Sequence, residues 1–325
     1  MFNFWFRGSV LLDDVEELLV EPLPVEDDPL VNTALSSEQP DDIDISKRLV
    51  DGETRYFDPY IAEHQETFFG SSIDDDITVL DESGAGLDAS YFLGDGDDTI
   101  DDTSGREFFA GMDGDDVINS GSGSDRVFGG DGDDLIVNES ELGLINGNDG
   151  NDTIFGGNDN DNVGGGSGDD AIYGGAGNDA LSGHDGADYL SGGSGDDLLA
   201  GTYLNGPGSS DSSTGIDTLD GGDGNDILIM NRGEVGTGGD GNDQFRVAGT
   251  GSLETPVAHI EDFQSGVDTL ELYYRASAGS EHLIDVSYDP QSDLTSVFLD
   301  DDLIVTLAGS PLLSAGMINL HGQYY

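Results

Sequence analysis

The sequence predicts an all-β protein made by stacking short strands, and three observations predict it. A nine-residue pattern repeats twelve times from residue 93 to residue 200 without slipping register, with copies starting at 93, 102, 111, 120, 129, 138, 147, 156, 165, 174, 183 and 192. A fixed period of this kind means that each copy packs on its neighbours in a stacked array. The eighth position of every copy is apolar: Ile100, Phe109, Ile118, Val127, Ile136, Ile145, Ile154, Val163, Ile172, Leu181, Leu190 and Leu199. In an extended triplet centred on that position the side chains alternate out, in, out, so one aliphatic or aromatic group per copy enters a core. After residue 253 the composition changes to β-branched and aromatic runs of ordinary strand length.

The other positions carry the chemistry. Glycines recur at positions one and four, as in Gly129 and Gly132, Gly147 and Gly150, Gly165 and Gly168, Gly174 and Gly177, and Gly192 and Gly195. Glycine takes positive φ and lets backbone carbonyls crowd a small ion. Position six is Asp98, Asp116, Asp125, Asp134, Asp152, Asp161, Asp170, Asp179, Asp188 and Asp197, with Glu107 and Gly143 as the two replacements. A carboxylate at that place is a hard anionic oxygen, suited to Ca²⁺ and its roughly six to eight oxygen ligands. The clearest copies read GGDGDDLIV from 129 and GGSGDDLLA from 192.

These residues match G-G-x-G-x-D-x-U-x, with U apolar, the known calcium-binding signature of the RTX (repeats-in-toxin) family. The chain resembles that family well over residues 70–246. The resemblance implies a six-residue calcium turn and a three-residue strand per copy, and two copies per coil of a parallel β-roll. It also implies several bound Ca²⁺ ions, with those position-six aspartates and paired glycines as metal-site residues, and export by type I secretion machinery through an uncleaved C-terminal signal.

Two copies per coil puts alternate copies on the same side. Copies starting at 93, 111, 129, 147, 165 and 183 all have Asp at position six, and five of them also have it at position three. The other side contains the degenerate turns DTSGRE from 102 and NESELG from 138. The first side is therefore expected to form a continuous calcium ladder, and the second to be incomplete towards its N-terminal end.

Charge sets the conditions. The chain has 325 residues, 69 acidic and 9 basic, for a formal net charge of -60. Like charges this dense expand a chain until cations neutralise them, so without calcium the array is expected to be disordered. Nucleic acid is excluded as a partner, because phosphate binding needs basic patches. Cysteine is absent, leaving calcium rather than disulfides to staple the fold.

Along the chain, residues 1–69 read as a poorly ordered extension and linker. Leu11, Leu12, Val15, Leu18 and Leu19 suit a short amphipathic helix, and residues 20–60 mix prolines with acidic pairs. Arg7 and Asp13-Asp14 interrupt the apolar start, which argues against a cleavable signal peptide. No stretch has the ~18 apolar residues of a membrane span. The β-roll is expected over 70–251, opening on the degenerate copy GSSIDDDIT with Asp75 and Ile77 in the ligand and core slots, then an out-of-phase cap at 79–92. A Ser/Gly-rich insertion from Thr202 interrupts the array, which resumes over 212–246 with Asp217, Asp226 and Asp243 in the ligand slot and Leu219, Leu228 and Phe245 in the core slot. Residues 252–325 read as a β-rich cap with strands at 257–260, 269–272, 284–288, 295–299 and 303–307, and with the secretion signal.

Catalytic patterns are absent from the sequence: it has no HExxH, no GxSxG elbow, and five histidines without an i, i+4 pair. Phe155 and Tyr173, one coil apart and facing outward, suit a cross-strand pair better than a ligand-stacking strip. The sequence thus predicts a secreted, extracellular calcium-binding protein, structural or adhesive in role and without enzymatic activity, whose cell-surface or glycan partner is unspecified. The alternative is a small RTX-bearing hydrolase or epimerase with its site in the flanks.

Overall fold

The computed structural model describes residues 43–44, 66–70, 72, 74–78, 89–102, 104–139, 143–202, 215–248, 256–275, 282–309 and 312–323. The expectations for the amphipathic helix, the proline-rich linker, residues 79–88 and the insertion after Thr202 lie outside them. The described residues belong to one compact unit, 41–325. Apart from one 3-10 turn, Ala315–Met317, every element among the described residues is a β-strand.

The chain forms a parallel β-roll. Alternate copies feed two sheets, one of 14 strands and one of 12, each ordered so that sequence neighbours skip to the opposite sheet. In the first sheet Ile100, Ile118, Ile136, Ile154, Ile172, Leu190 and Leu219 pair in register. In the second, Tyr91, Phe109, Val127, Ile145, Val163, Leu181, Leu199, Leu228, Phe245 and Leu270 do the same. All twelve eighth-position side chains are at most 1% exposed and belong to one cluster enclosed between the sheets. A column packed on both sides has no room to collapse around a deletion. Ile136→Ala is therefore expected to cost about 2–5 kcal/mol in calcium-saturated protein, read as a fall in the denaturant midpoint.

Strand length departs from the three residues expected. Where position one of the following copy is glycine, pairing runs on through its first residues, giving Arg126–Asp131, Asn162–Ser167, Ala171–Ala176 and Tyr189–Ser194. Where that position is Asp102, Ser120 or Asn138, the strand stops after three, as at Thr99–Asp101, Val117–Asn119 and Leu135–Val137. Position two needs a left-handed backbone even when its residue is not glycine, since Met112, Asn148 and His184 have φ of 88°, 79° and 75°.

Both ends of the array hold local adjustments. Asp76–Thr78 pairs with Thr99–Asp101 and buries Ile77, as the degenerate first copy predicts. The cap expected at 79–92 regains phase earlier than its sequence suggests, because Ala89–Asp95 is already a strand with Tyr91 in the core slot. Tyr91 sits between Phe68 and Phe109, with ring centroids 4.9 and 5.3 Å away. In the short copy at 230–237 the core slot is Gly236, and a Cβ there would lie 2.8 Å from Met230 Sδ, so the preceding strand supplies the missing apolar volume.

The segment from 252 continues both sheets. Ala258–Ile260 extends the first and Thr269–Arg275 the second. The first sheet then ends in the antiparallel strands Asp302–Ala308, Leu294–Leu299 and Ile284–Asp289, and the second in Ile318–Gln323, a strand the sequence pattern does not reveal. The antiparallel hairpin puts a different pairing mode at the end of the stack, so identical coils do not continue.

Candidate metal centre

Each regular turn lies between two parallel strands and places its position-six carboxylate inward, against the backbone of the preceding coil. On the first side the backbone N–H of each position-six residue donates to the Oδ1 of the next, from Asp75 through Asp98, Asp116, Asp134, Asp152, Asp170 and Asp188 to Asp217, at 2.7–2.9 Å. On the second side the same bond joins Glu107 to Asp125, then runs from Gly143 through Asp161, Asp179, Asp197, Asp226 and Asp243 to Asp268, at 2.8–3.2 Å. This ladder breaks after Asp125, because Gly143 has no carboxylate to accept the Asp125 N–H.

One oxygen of each carboxylate is used in this way and the other is not. Oδ2 of Asp98, Asp116, Asp125, Asp134, Asp152, Asp161, Asp170, Asp179, Asp188, Asp197, Asp226 and Asp243 is buried without a hydrogen-bond donor. Such an atom costs free energy unless a proton or a cation meets it. Where position one is glycine, it points at that glycine of its own turn. A Cβ on Gly129 would stand 2.0 Å from Asp134 Oδ2 and 2.7 Å from the Gly147 carbonyl oxygen. The same pair of oxygens meets Gly111, Gly147, Gly156, Gly165, Gly174, Gly192 and Gly221, with the carboxylate oxygen 1.9–2.8 Å from the built Cβ, and the carboxylate oxygen alone meets Gly183 and Gly238. Position one is glycine because a carboxylate and a carbonyl oxygen converge there.

That donor set fits calcium. It is all oxygen and half anionic, and flexible geometry suits a cation that accepts several carbonyls. Among the described residues no three of His, Asp or Glu gather as a ligand cluster. Each turn offers a single inward carboxylate, so the remaining ligands would be backbone carbonyls and water. The position-four glycines Gly132, Gly150, Gly168 and Gly195 do not face these oxygens. They stack on one another, each a built-Cβ distance of 1.6–2.1 Å from the carbonyl of the position-four glycine one coil earlier. Gly177 meets Asp159 O at 2.4 Å instead. Their role is to let successive turns approach.

Electrostatics agree with the orphaned oxygens. Burial first, and neighbouring carboxylates second, push Asp134 and Asp170 up to about 8, Asp116, Asp161, Asp188 and Asp226 to about 7, and Asp98, Asp152 and Asp179 to about 6. Backbone N–H donors from the preceding coil oppose the rise in every case. Asp125, Asp197 and Asp243 are raised for the same leading reason. A carboxylate moved this far is one whose charge has not yet been matched.

Three groups escaped the sequence pattern. Glu234 stands one coil after Asp217, since Val235 pairs with Thr218, and is 3% exposed. Its Oε2 accepts the Asn231 N–H at 2.8 Å, while burial and Asp217 hold its carboxyl well above the ordinary range. Asp268 ends the second-side ladder inside a disguised copy, 263–271, that keeps Gly266 at position four and Leu270 in the core slot. The 25-residue separation from Asp243 hides it. The third group is position five, where side chains reach forward: Asp97, Asp115, Asp133, Asn151 and Asp169 each accept the backbone N–H of the residue one coil later, at 2.7–3.1 Å. The first-side turns from Asp97 to Asp169 are thus held by one side chain reaching back and another reaching forward.

Outside the turns, Phe155 and Tyr173 are directly paired and stacked at 5.0 Å, with Tyr189 at 5.7 Å from Tyr173. On the last strands Glu271 takes a hydrogen bond from Tyr273 Oη at 3.0 Å and lies 3.7 Å from Arg246 Nε and 3.5 Å from His321 Nε2. These contacts tie the final strand to the second sheet.

Four stretches of the chain, 101–136, 144–172, 164–199 and 211–234, match the family described as RTX calcium-binding nonapeptide repeat. The chain carries these repeats. No curated protein matches it. Among solved structures it is similar to the solution structure of the AlgE6R3 subunit of the Azotobacter vinelandii mannuronan C5-epimerase, at 25% identity and a TM-score of 0.20, over 50% of this chain and 78% of that one. It is also similar to the extracellular lipase LipA of Serratia marcescens, at 16% identity and a TM-score of 0.19, over 68% of this chain and 41% of the lipase.

Proposed function

We propose that this chain of RTX calcium-binding repeats is a secreted protein that folds when it meets extracellular calcium, serves a structural or adhesive role, and has no catalytic activity of its own. The observation that carries the reading is the buried carboxylate Oδ2 that has no donor and in most regular turns converges with a backbone carbonyl at the position-one glycine. A fold that brings so many oxygens together is costly until a cation joins it. Metal binding free energy then becomes folding free energy.

The residues divide that work. Asp98, Asp116, Asp134, Asp152, Asp170, Asp188 and Asp217 would supply the anionic ligands on one side, and Asp125, Asp161, Asp179, Asp197, Asp226 and Asp243 on the other. The position-one glycines keep a side chain out of the way, and the position-four glycines let the turns stack. Calcium supplies positive charge and a flexible oxygen-seeking shell. Extracellular modules bind it at about 10⁻⁴ to 10⁻³ M, far above cytosolic levels. The chain would therefore stay extended and export-competent inside a cell and close outside it.

No helix among the described residues is long and apolar enough to cross a membrane. Export is the testable part. In a host with type I secretion machinery the full chain is expected in the medium, and a chain cut after Arg275 is expected to stay with the cells. Full-length protein confined to the cells would remove the secreted reading.

A further inference from the structure

We infer that Asn138 replaces a calcium ion in its turn: its side-chain amide occupies the space that a donorless carboxylate oxygen and a backbone carbonyl share elsewhere, and makes that turn of the roll independent of metal. The inference rests on the calcium-folding reading and concerns the one turn of the strict array, 138–146, whose sixth position, Gly143, has no carboxylate or other polar side chain.

In a regular turn the position-one glycine faces two acceptors. At Gly129 these are Asp134 Oδ2 and the Gly147 carbonyl, and nothing donates to the carboxylate oxygen. In the turn from 138 both features are changed together. Position one is Asn138, 1% exposed, and position six is Gly143. A Cβ on Gly143 would lie 2.5 Å from Asn138 Nδ2, so the amide nitrogen fills the volume where an aspartate would start. Asn138 Nδ2 donates to the Gly156 carbonyl at 3.2 Å and reaches Asp161 Oδ1 at 3.5 Å. Gly156 is the position-one residue of the next coil, so its carbonyl is the counterpart of Gly147 O in the regular turn. The amide gives that oxygen the positive end of a dipole where other turns need an ion. Asn138 Oδ1 is satisfied in turn by the Ser120 hydroxyl at 2.7 Å, buried in the position-one place one coil earlier.

A neutral donor is the right substitute. Satisfying a buried carbonyl needs a hydrogen bond, and a side-chain amide offers two donors and an acceptor in one plane. Removing the carboxylate at Gly143 also removes the charge that would have demanded a cation. Ser120 and Asn138 are two of the position-one residues at which the strands stop after three, so the altered turns are a continuous block on one side. At the turn from 138 the second side would hold together before calcium arrives, and the turns that carry donorless carboxylate oxygens would still need it.

The test converts the turn. Asn138→Gly, Glu139→Gly, Glu141→Gly and Gly143→Asp together restore the regular pattern, and calorimetric titration with CaCl₂ is expected to count about one more ion per chain than in the wild type. An unchanged count would overturn the inference. A second variant, Asn138→Asp, keeps the shape and turns the donor into an acceptor. It is expected to need several-fold more calcium to reach half its β-signal in circular dichroism, and an unchanged midpoint would equally overturn the inference. A wild type that takes up no calcium would instead defeat the calcium-folding reading itself.

Discussion

In chelator at neutral pH the chain is expected to give the circular dichroism spectrum of a coil, and in millimolar calcium that of a β-protein. The cause is the sum of two terms of opposite sign. The apolar column from Ile77 to Leu270 favours closing the roll. The chain's net charge of -60 opposes it, and much of that charge is delivered to two lines of turns one strand spacing apart. At ~4.8 Å between neighbouring coils, unscreened like charges repel strongly in a medium that water does not fill. Cations between the turns reverse the sign of that term. Asp170→Asn removes one inward carboxylate and is expected to raise the calcium needed for folding, because one ligand is lost from the middle of the first-side ladder. Chelated wild-type protein with substantial β-structure would contradict the argument, as would an Asp170→Asn midpoint below that of the wild type.

The periodic part of this architecture was legible because each position of the repeat has one physical task. Ile136, Gly129 and Asp134 could be placed in the core, on the turn floor and in the inward carboxylate slot from the repeat, since the same task recurs every nine residues. Legibility failed where a task was performed from an unexpected place. Met230 fills the core over Gly236 from the preceding strand, so the pattern shows a gap and the structure does not. Asp268 keeps the ladder going 25 residues after Asp243, across an insertion that breaks the count. Tyr91 enters the core phase before the strict array begins. The position-five side chains were missed for another reason. Asp97, Asp115 and Asp133 are exposed, and an exposed acidic residue in an acidic chain reads as surface until its backbone partner one coil away is seen. Ile318–Gln323 has mixed polarity and little β-branching, and becomes a strand only because the edge of Thr269–Arg275 needs a partner.

Acid is expected to replace calcium in part. Asp134 and Asp170 are held at about 8 in the roll, and Asp116, Asp161, Asp188 and Asp226 at about 7, against 3.8 for an ordinary aspartate. Burial is the main cause, so the metal-free roll prefers these groups protonated. Below pH 3.8 both folded and unfolded chains are protonated and no penalty exists. As pH rises, the unfolded chain ionises first, and stability of the metal-free roll is lost progressively until pH passes about 8. With calcium bound the sign differs, because the ligands must be ionised and protons compete for them. The gap between calcium-free and calcium-saturated β-signals should therefore be widest near pH 8 and should narrow on acidification towards pH 5. Asp134→Asn separates this effect from general charge neutralisation. Its amide resembles the protonated acid, so in chelator the variant should depend less on pH than the wild type, while in calcium it should need more metal. One substitution that eases folding without the ion and hinders it with the ion is what a carboxylate awaiting a cation requires. If the calcium-free signal is the same at pH 5 and pH 8, the inward oxygens are already satisfied by the protein itself.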